Sequence, residues 1–78
     1  PILIALLGAG GSARAVLAGL ADAGASCIFI HNRTVGRAES LVTEFSQKFP
    51  DTQLKSVSVK TILETPLDLL VNTTTVGM

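Results

Sequence analysis

The sequence predicts an α/β fold, a parallel sheet with helices packed on its faces, and three observations predict it. Short, mostly apolar runs of strand length recur at 2–7, 27–31 and 67–71. Stretches with apolar residues at helical spacing lie between them. A glycine-rich turn, Leu7-Gly8-Ala9-Gly10-Gly11-Ser12-Ala13-Arg14, joins the first run to the first helical stretch.

Each element has its own justification. Residues 2–7 are continuously apolar, which suits a parallel strand covered on both faces. The first helix is expected from Ser12 to Ala23. Ala13, Val16, Leu17, Leu20 and either Ala23 or Gly24 form its buried face, and Gly24 stops it. Residues 27–31 form the second strand, ended by Asn32-Arg33-Thr34. Thr34 is the expected cap of a second helix, whose apolar stripe is Val35, Ala38, Leu41, Val42, Phe45 and Phe49 and which Pro50-Asp51 breaks. Residues 53–58 read as a third strand, 59–64 as a short helix and 67–71 as a fourth strand after Pro66. A loop of small hydroxyl residues follows from Asn72. Right-handed crossovers in this order give a Rossmann-like sheet, strand order 3-2-1-4, whose fourth strand leaves an edge unpaired.

Composition bounds the rest. Seventy-eight residues allow at most one small domain. The chain opens in a strand without an initiator Met and closes just after another, so it reads as part of a longer protein. Six basic and six acidic residues balance, which argues against a generic nucleic-acid or membrane-surface binder. Cys27 is a lone cysteine, expected as a small buried hydrophobe. No Cys/His cluster suggests a metal, and a reducing cytoplasm is the default. No apolar run approaches the roughly 18 residues of a membrane span. The apolar start lacks the basic region of a signal peptide, and Arg14 interrupts it.

The glycine turn carries the first chemistry. Gly8, Gly10 and Ala13 fit G-x-G-x-x-G/A, with Ala9, Gly11 and Ser12 between them. Gly8 permits the tight turn, Gly10 lets backbone approach a pyrophosphate, and Ala13 lets the helix pack closely on the strand. The helix start then offers free N–H groups and a positive dipole end to an anion. Ser12 suits a hydrogen bonder at the helix start better than a nucleophile, because no general base accompanies it. Alone, the turn could be an ordinary strand-to-helix connection.

The second strand's end adds to it. NAD-binding units usually place an acid there for the ribose 2′-hydroxyl; this chain has Asn32 and Arg33. An arginine suits a 2′-phosphate, and its planar guanidinium can also lie over adenine. Arg37 falls in the first turn of the second helix, where a cation opposes the dipole, and Arg14 does the same in the first helix. Basic residues at both helix starts are explained if both face an anion; each singly could be a solvated side chain. His31, Lys48, Lys55 and Lys60 receive no chemical role, and Asp68 a structural one.

At these residues the chain resembles the shikimate dehydrogenase family, which includes quinate/shikimate dehydrogenases. Three segments carry the resemblance: 8–14; Asn32-Arg33-Thr34 with Arg37-Ala38; and Asp68 through Asn72-Thr73-Thr74 to Gly77-Met78. They look like that family's glycine-rich loop, its N-R-T-x-x-R motif and its D-L-(L/V)-(I/V)-N-(A/T)-T…G-M segment. The resemblance implies that Asn32, Arg33, Thr34 and Arg37 surround the 2′-phosphate of NADP. It implies that Asn72, Thr73 and Thr74 line the cofactor groove, and that Gly77-Met78 leads toward the nicotinamide.

It further implies hydride transfer between NADPH and 3-dehydroshikimate, giving shikimate, a step of aromatic amino acid biosynthesis. Quinate as substrate, with NAD, is one alternative; a non-catalytic, metabolite-sensing regulator is another. The Lys and Asp that move protons in that family belong to its substrate domain, and nothing in this chain matches them, so the resemblance implies a partial NAD(P)-binding domain over 1–78 with the substrate domain outside it. No catalytic residue is therefore expected within 1–78.

Overall fold

The computed structural model describes residues 2–74. Strands β1 (Leu3–Leu7), β2 (Cys27–His31), β3 (Gln53–Ser56) and β4 (Leu69–Asn72) alternate with helices α1 (Gly11–Asp22), α2 (Val35–Lys48) and α3 (Val59–Glu64). All pairings are parallel, and the sheet order is β3-β2-β1-β4, as expected.

Alternation along the strands divides the molecule into two faces. Ile4 and Leu6 of β1 and Ile28 and Ile30 of β2 point to one side. There they meet Ala13 and Leu17 of α1 and Ala38, Leu41 and Phe45 of α2, all buried in one cluster. Leu7, His31, Leu70 and Asn72 belong to the opposite side, with Val59, Ile62 and Leu63 of α3 across from them. The two-sided cover explains why β1 is apolar at every position.

Several boundaries differ from expectation. α1 begins at Gly11, capped by Gly10, and its buried face is Ala13, Leu17 and Ala21, with Val16 and Leu20 partly covered. Ala23 and Gly24 are exposed. Gly24 does end the helix: its φ is +96°, and its N–H and that of Ala25 reach the Ala21 and Leu20 carbonyls in a Schellman arrangement. β3 stops at Ser56, and β4 runs Leu69–Asn72, preceded by Asp68, whose carboxylate accepts from the Leu3 N–H at 2.7 Å. Val35 lies outside the stripe of α2, 58% exposed. Cys27 is only half-buried, a correction to its expected place in the core.

Candidate functional site

Register builds the site. Leu7 pairs with His31 on one side and with Asn72 on the other, so β1, β2 and β4 end level with one another. The residues that follow, Gly8, Asn32 and Thr73, therefore leave the same end of the sheet together. That end is where ligands bind in open parallel sheets. Gly8 N–H donates to the His31 carbonyl at 2.7 Å. Thr73 donates twice to the Leu7 carbonyl, from its N–H at 2.9 Å and its hydroxyl at 2.7 Å.

A cleft of about 470 Å³ opens there, lined by Gly8, Ala9, Gly10, Asn32, Arg33, Thr34, Arg37, Thr73 and Thr74. Nine of the sequence-selected residues thus share one cavity. Gly11, Ser12 and Ala13 do not line it. Ala13 is fully buried between helix and sheet, as its small size requires, and Gly11 and Ser12 form the exposed first turn of α1.

The two glycines act differently. Gly8 has φ +116°, and a Cβ on it would collide with the Thr73 hydroxyl oxygen, so the chain itself requires glycine there. Gly10 is extended, with φ −91°, and a Cβ on it would meet nothing within 4 Å. Among the described residues no contact requires glycine at 10.

Both helix starts facing the cleft are electropositive. No side chain caps α1, and no acid occupies its first turn. Thr34 is the N-cap residue of α2 as expected, but its side chain makes no capping hydrogen bond, and that first turn also lacks an acid. The Thr34 hydroxyl is consequently free to meet a ligand. Asn32 Nδ2 donates to the Thr34 carbonyl at 3.0 Å and fixes the bend between β2 and α2. Arg33 and Arg37 are exposed, and among the described residues neither makes an ion pair.

Arg14, unlike Arg33 and Arg37, is engaged by a carboxylate of the chain itself. Its Nη1 donates to Glu44 Oε1 at 2.7 Å, its Nη2 to Glu44 Oε2, and its guanidinium lies 5.3 Å from the Phe45 ring centre. Glu44 also accepts from Lys48, one helical turn on, at 3.3 Å. The Arg14 hydrogen bonds are the largest influence holding the Glu44 carboxyl well down, at about 2. Sequence reasoning missed Glu44. Thirty residues separate it from Arg14, and only the packing of α1 beside α2 brings them together.

Asn72 also departs from its expected position. Strand alternation sends it to the α3 side with Leu7 and His31. There its Oδ1 accepts from the Thr74 N–H at 2.9 Å and the Thr74 hydroxyl at 2.7 Å. Asn72 shapes the turn that brings Thr74 into the cleft and does not line the cleft itself. His31 Nδ1 lies 2.9 Å from the Val57 carbonyl, a structural contact. Among the described residues no three of His, Cys, Asp and Glu cluster to hold a metal, and no helix is long and apolar enough to cross a membrane. Gly77 and Met78 lie outside the described residues.

Comparison with known proteins agrees with this fold. Residues 3–75 match the family described as Shikimate / quinate 5-dehydrogenase. A shikimate dehydrogenase (NADP(+)) of Geobacter metallireducens is 47% identical over 83 residues, covering 96% of this chain and 28% of the relative. One from Acinetobacter baumannii is 41% identical over 75 residues, with the same coverage. Among solved structures, a shikimate dehydrogenase in complex with NADP+ superposes with TM-score 0.75 at 33% identity, over 99% of this chain and 27% of that one. The ligand-free 5-ketofructose reductase of Gluconobacter sp. strain CHM43 superposes with TM-score 0.78 at 34% identity, over 99% and 28%. The chain spans little more than a quarter of these relatives.

Proposed function

This chain belongs to the Shikimate / quinate 5-dehydrogenase family, and from that premise we propose that it forms the front half of the NADP-binding domain of an NADP-dependent shikimate dehydrogenase. The protein carrying it would transfer hydride between NADPH and 3-dehydroshikimate in a cytoplasmic setting. The nicotinamide, when bound, supplies the hydride. This chain supplies binding and orientation.

The observation that carries the reading is the pair of unpaired arginines, Arg33 and Arg37, beside an uncapped Thr34 hydroxyl and across one cleft from the open backbone at Gly10. The open backbone at Gly10 and the exposed first-turn N–H groups of α1 at Gly11 and Ser12 suit a pyrophosphate. Arg33, Thr34 and Arg37 suit the additional phosphate of NADP, with Asn32 holding their loop. Thr73 and Thr74 form the wall from β4, and Asn72 shapes it. A carboxylate would repel that phosphate, and among the described residues none lines this cleft. His31 is engaged with the Val57 carbonyl, and Asp68 with the Leu3 N–H.

Substrate identity resides elsewhere. A reductase named for 5-ketofructose shares this half as closely as a shikimate dehydrogenase does. Quinate with NAD is the alternative that the cofactor comparison decides. Arg33→Ala with Arg37→Ala, in the full-length protein at fixed salt, should reduce kcat/KM for NADP(H) by about 30- to 1000-fold, the effect of two screened, charge-assisted contacts. NAD(H) should lose much less. Equal losses with both cofactors would refute the NADP assignment, and absence of turnover with shikimate, quinate and both cofactors in the unaltered protein would favour a sensor.

A further inference from the structure

The groove between α1 and α2 holds charges that the proposed cofactor site does not use. Arg14, Arg37 and Glu44 line it, within about 510 Å³, and it shares Ala9, Thr34 and Arg37 with the cleft. Arg37 and Glu44 stand seven residues apart on α2 and so share a face. Arg14 reaches that face from the first turn of α1. A third guanidinium therefore lies in the groove that continues from the proposed phosphate site, turned onto a carboxylate.

Resting on the NADP(H) reading above, we propose that Glu44 is a specificity-setting positioning residue, which holds Arg14 back from Arg37 and thereby limits the positive charge that the nucleotide phosphate meets. The pair is bidentate, and the Phe45 ring lies beneath the guanidinium, so Arg14 has one favoured place. Glu44 stays ionised throughout the working range of pH. The two side chains are nonetheless 45% and 37% exposed. Exposed pairs of this kind are weak and exchange partners readily, so Arg14 is restrained rather than locked. With Glu44 neutral, its best remaining anionic partner in this groove is a bound phosphate.

The test uses the full-length protein and NADPH and NADH separately, with affinities measured by calorimetric titration. Glu44→Gln should tighten NADPH by about 2- to 5-fold, the effect of one partly exposed charge contact, with NADH unchanged. In an Arg37→Ala background, Glu44→Gln should recover part of the lost NADPH affinity, because Arg14 then substitutes for the missing guanidinium. Arg14→Gln gives the opposite arm: the freed carboxylate faces the groove and weakens NADPH alone. It also serves if Glu44→Gln does not fold. Unchanged NADPH affinity in Glu44→Gln, or equal changes with both cofactors, would overturn the proposal and leave the pair as a tie between two helices. The Arg33→Ala/Arg37→Ala comparison separates the two readings. If it abolishes the NADPH preference while Glu44→Gln is silent, only the role of Glu44 fails.

Discussion

Replacing Gly8 by alanine tests how the glycine turn is held. Gly8 has φ +116°, a conformation that side-chain-bearing residues adopt only under strain of about 1–3 kcal/mol. The new Cβ would also collide with the Thr73 hydroxyl oxygen, which is bonded to the Leu7 carbonyl at 2.7 Å. The backbone and Cβ of Thr73 are no obstacle, at 3.5 and 3.6 Å. Relief therefore means rotating the hydroxyl away and losing one hydrogen bond, about 1 kcal/mol. The sum is about 2–4 kcal/mol, a large share of the roughly 5–15 kcal/mol that holds a domain together. Urea unfolding should show a midpoint lowered by on the order of 1 M at ordinary slopes. Gly10→Ala is the control: a Cβ there meets nothing, and the loss should stay below about 1 kcal/mol, from poorer capping. In a Thr73→Ala background, Gly8→Ala should cost about 1 kcal/mol less, because the collision is gone and only the φ strain remains. A Gly8→Ala midpoint equal to that of Gly10→Ala, or no coupling to Thr73, would refute this account of the turn.

Other consequences follow from particular contacts. On the proposed assignment, Gly10→Val should weaken NADPH binding while circular dichroism stays unchanged, since a Cβ there meets nothing in the described chain; unchanged affinity would remove this loop from the site. Glu44 should titrate near pH 2 by carboxyl NMR and move up toward its ordinary 4.5 in Arg14→Ala. Because its folded pKa is depressed, the pair's contribution is fully present above about pH 4.5 and is lost as pH falls through about 2. Stability traceable to it should therefore be flat between pH 6 and 8, and a Glu44-dependent change there would contradict the assignment. Asp68→Ala should cost about 0.5–1.5 kcal/mol in the urea midpoint, by removing the acceptor for the Leu3 N–H; no loss would show that water replaces it.

Local rules sufficed for much of this chain. Unbroken apolar runs, 3.6-residue stripes and the breakers Gly24 and Pro50 revealed the elements, and the crossover rule then supplied the order 3-2-1-4. Gly8, Gly10, Arg33 and Arg37 were legible because each breaks or exploits a local preference: a tight turn, a bare backbone, a cation at a helix start. Tertiary structure decided which of them act together. Register set Leu7 level with His31 and Asn72, which assembled three loops at one sheet end. Pleating then sent Asn72 to the opposite face, where it shapes the turn and stays out of the cleft. Arg14 and Arg37 look alike in sequence, each a cation in a first helical turn. Only the placement of α1 and α2 on one sheet face brings Glu44 to the first and, among the described residues, leaves the second without an ion pair, because ion pairing depends on a few ångströms between residues that are thirty apart in the chain.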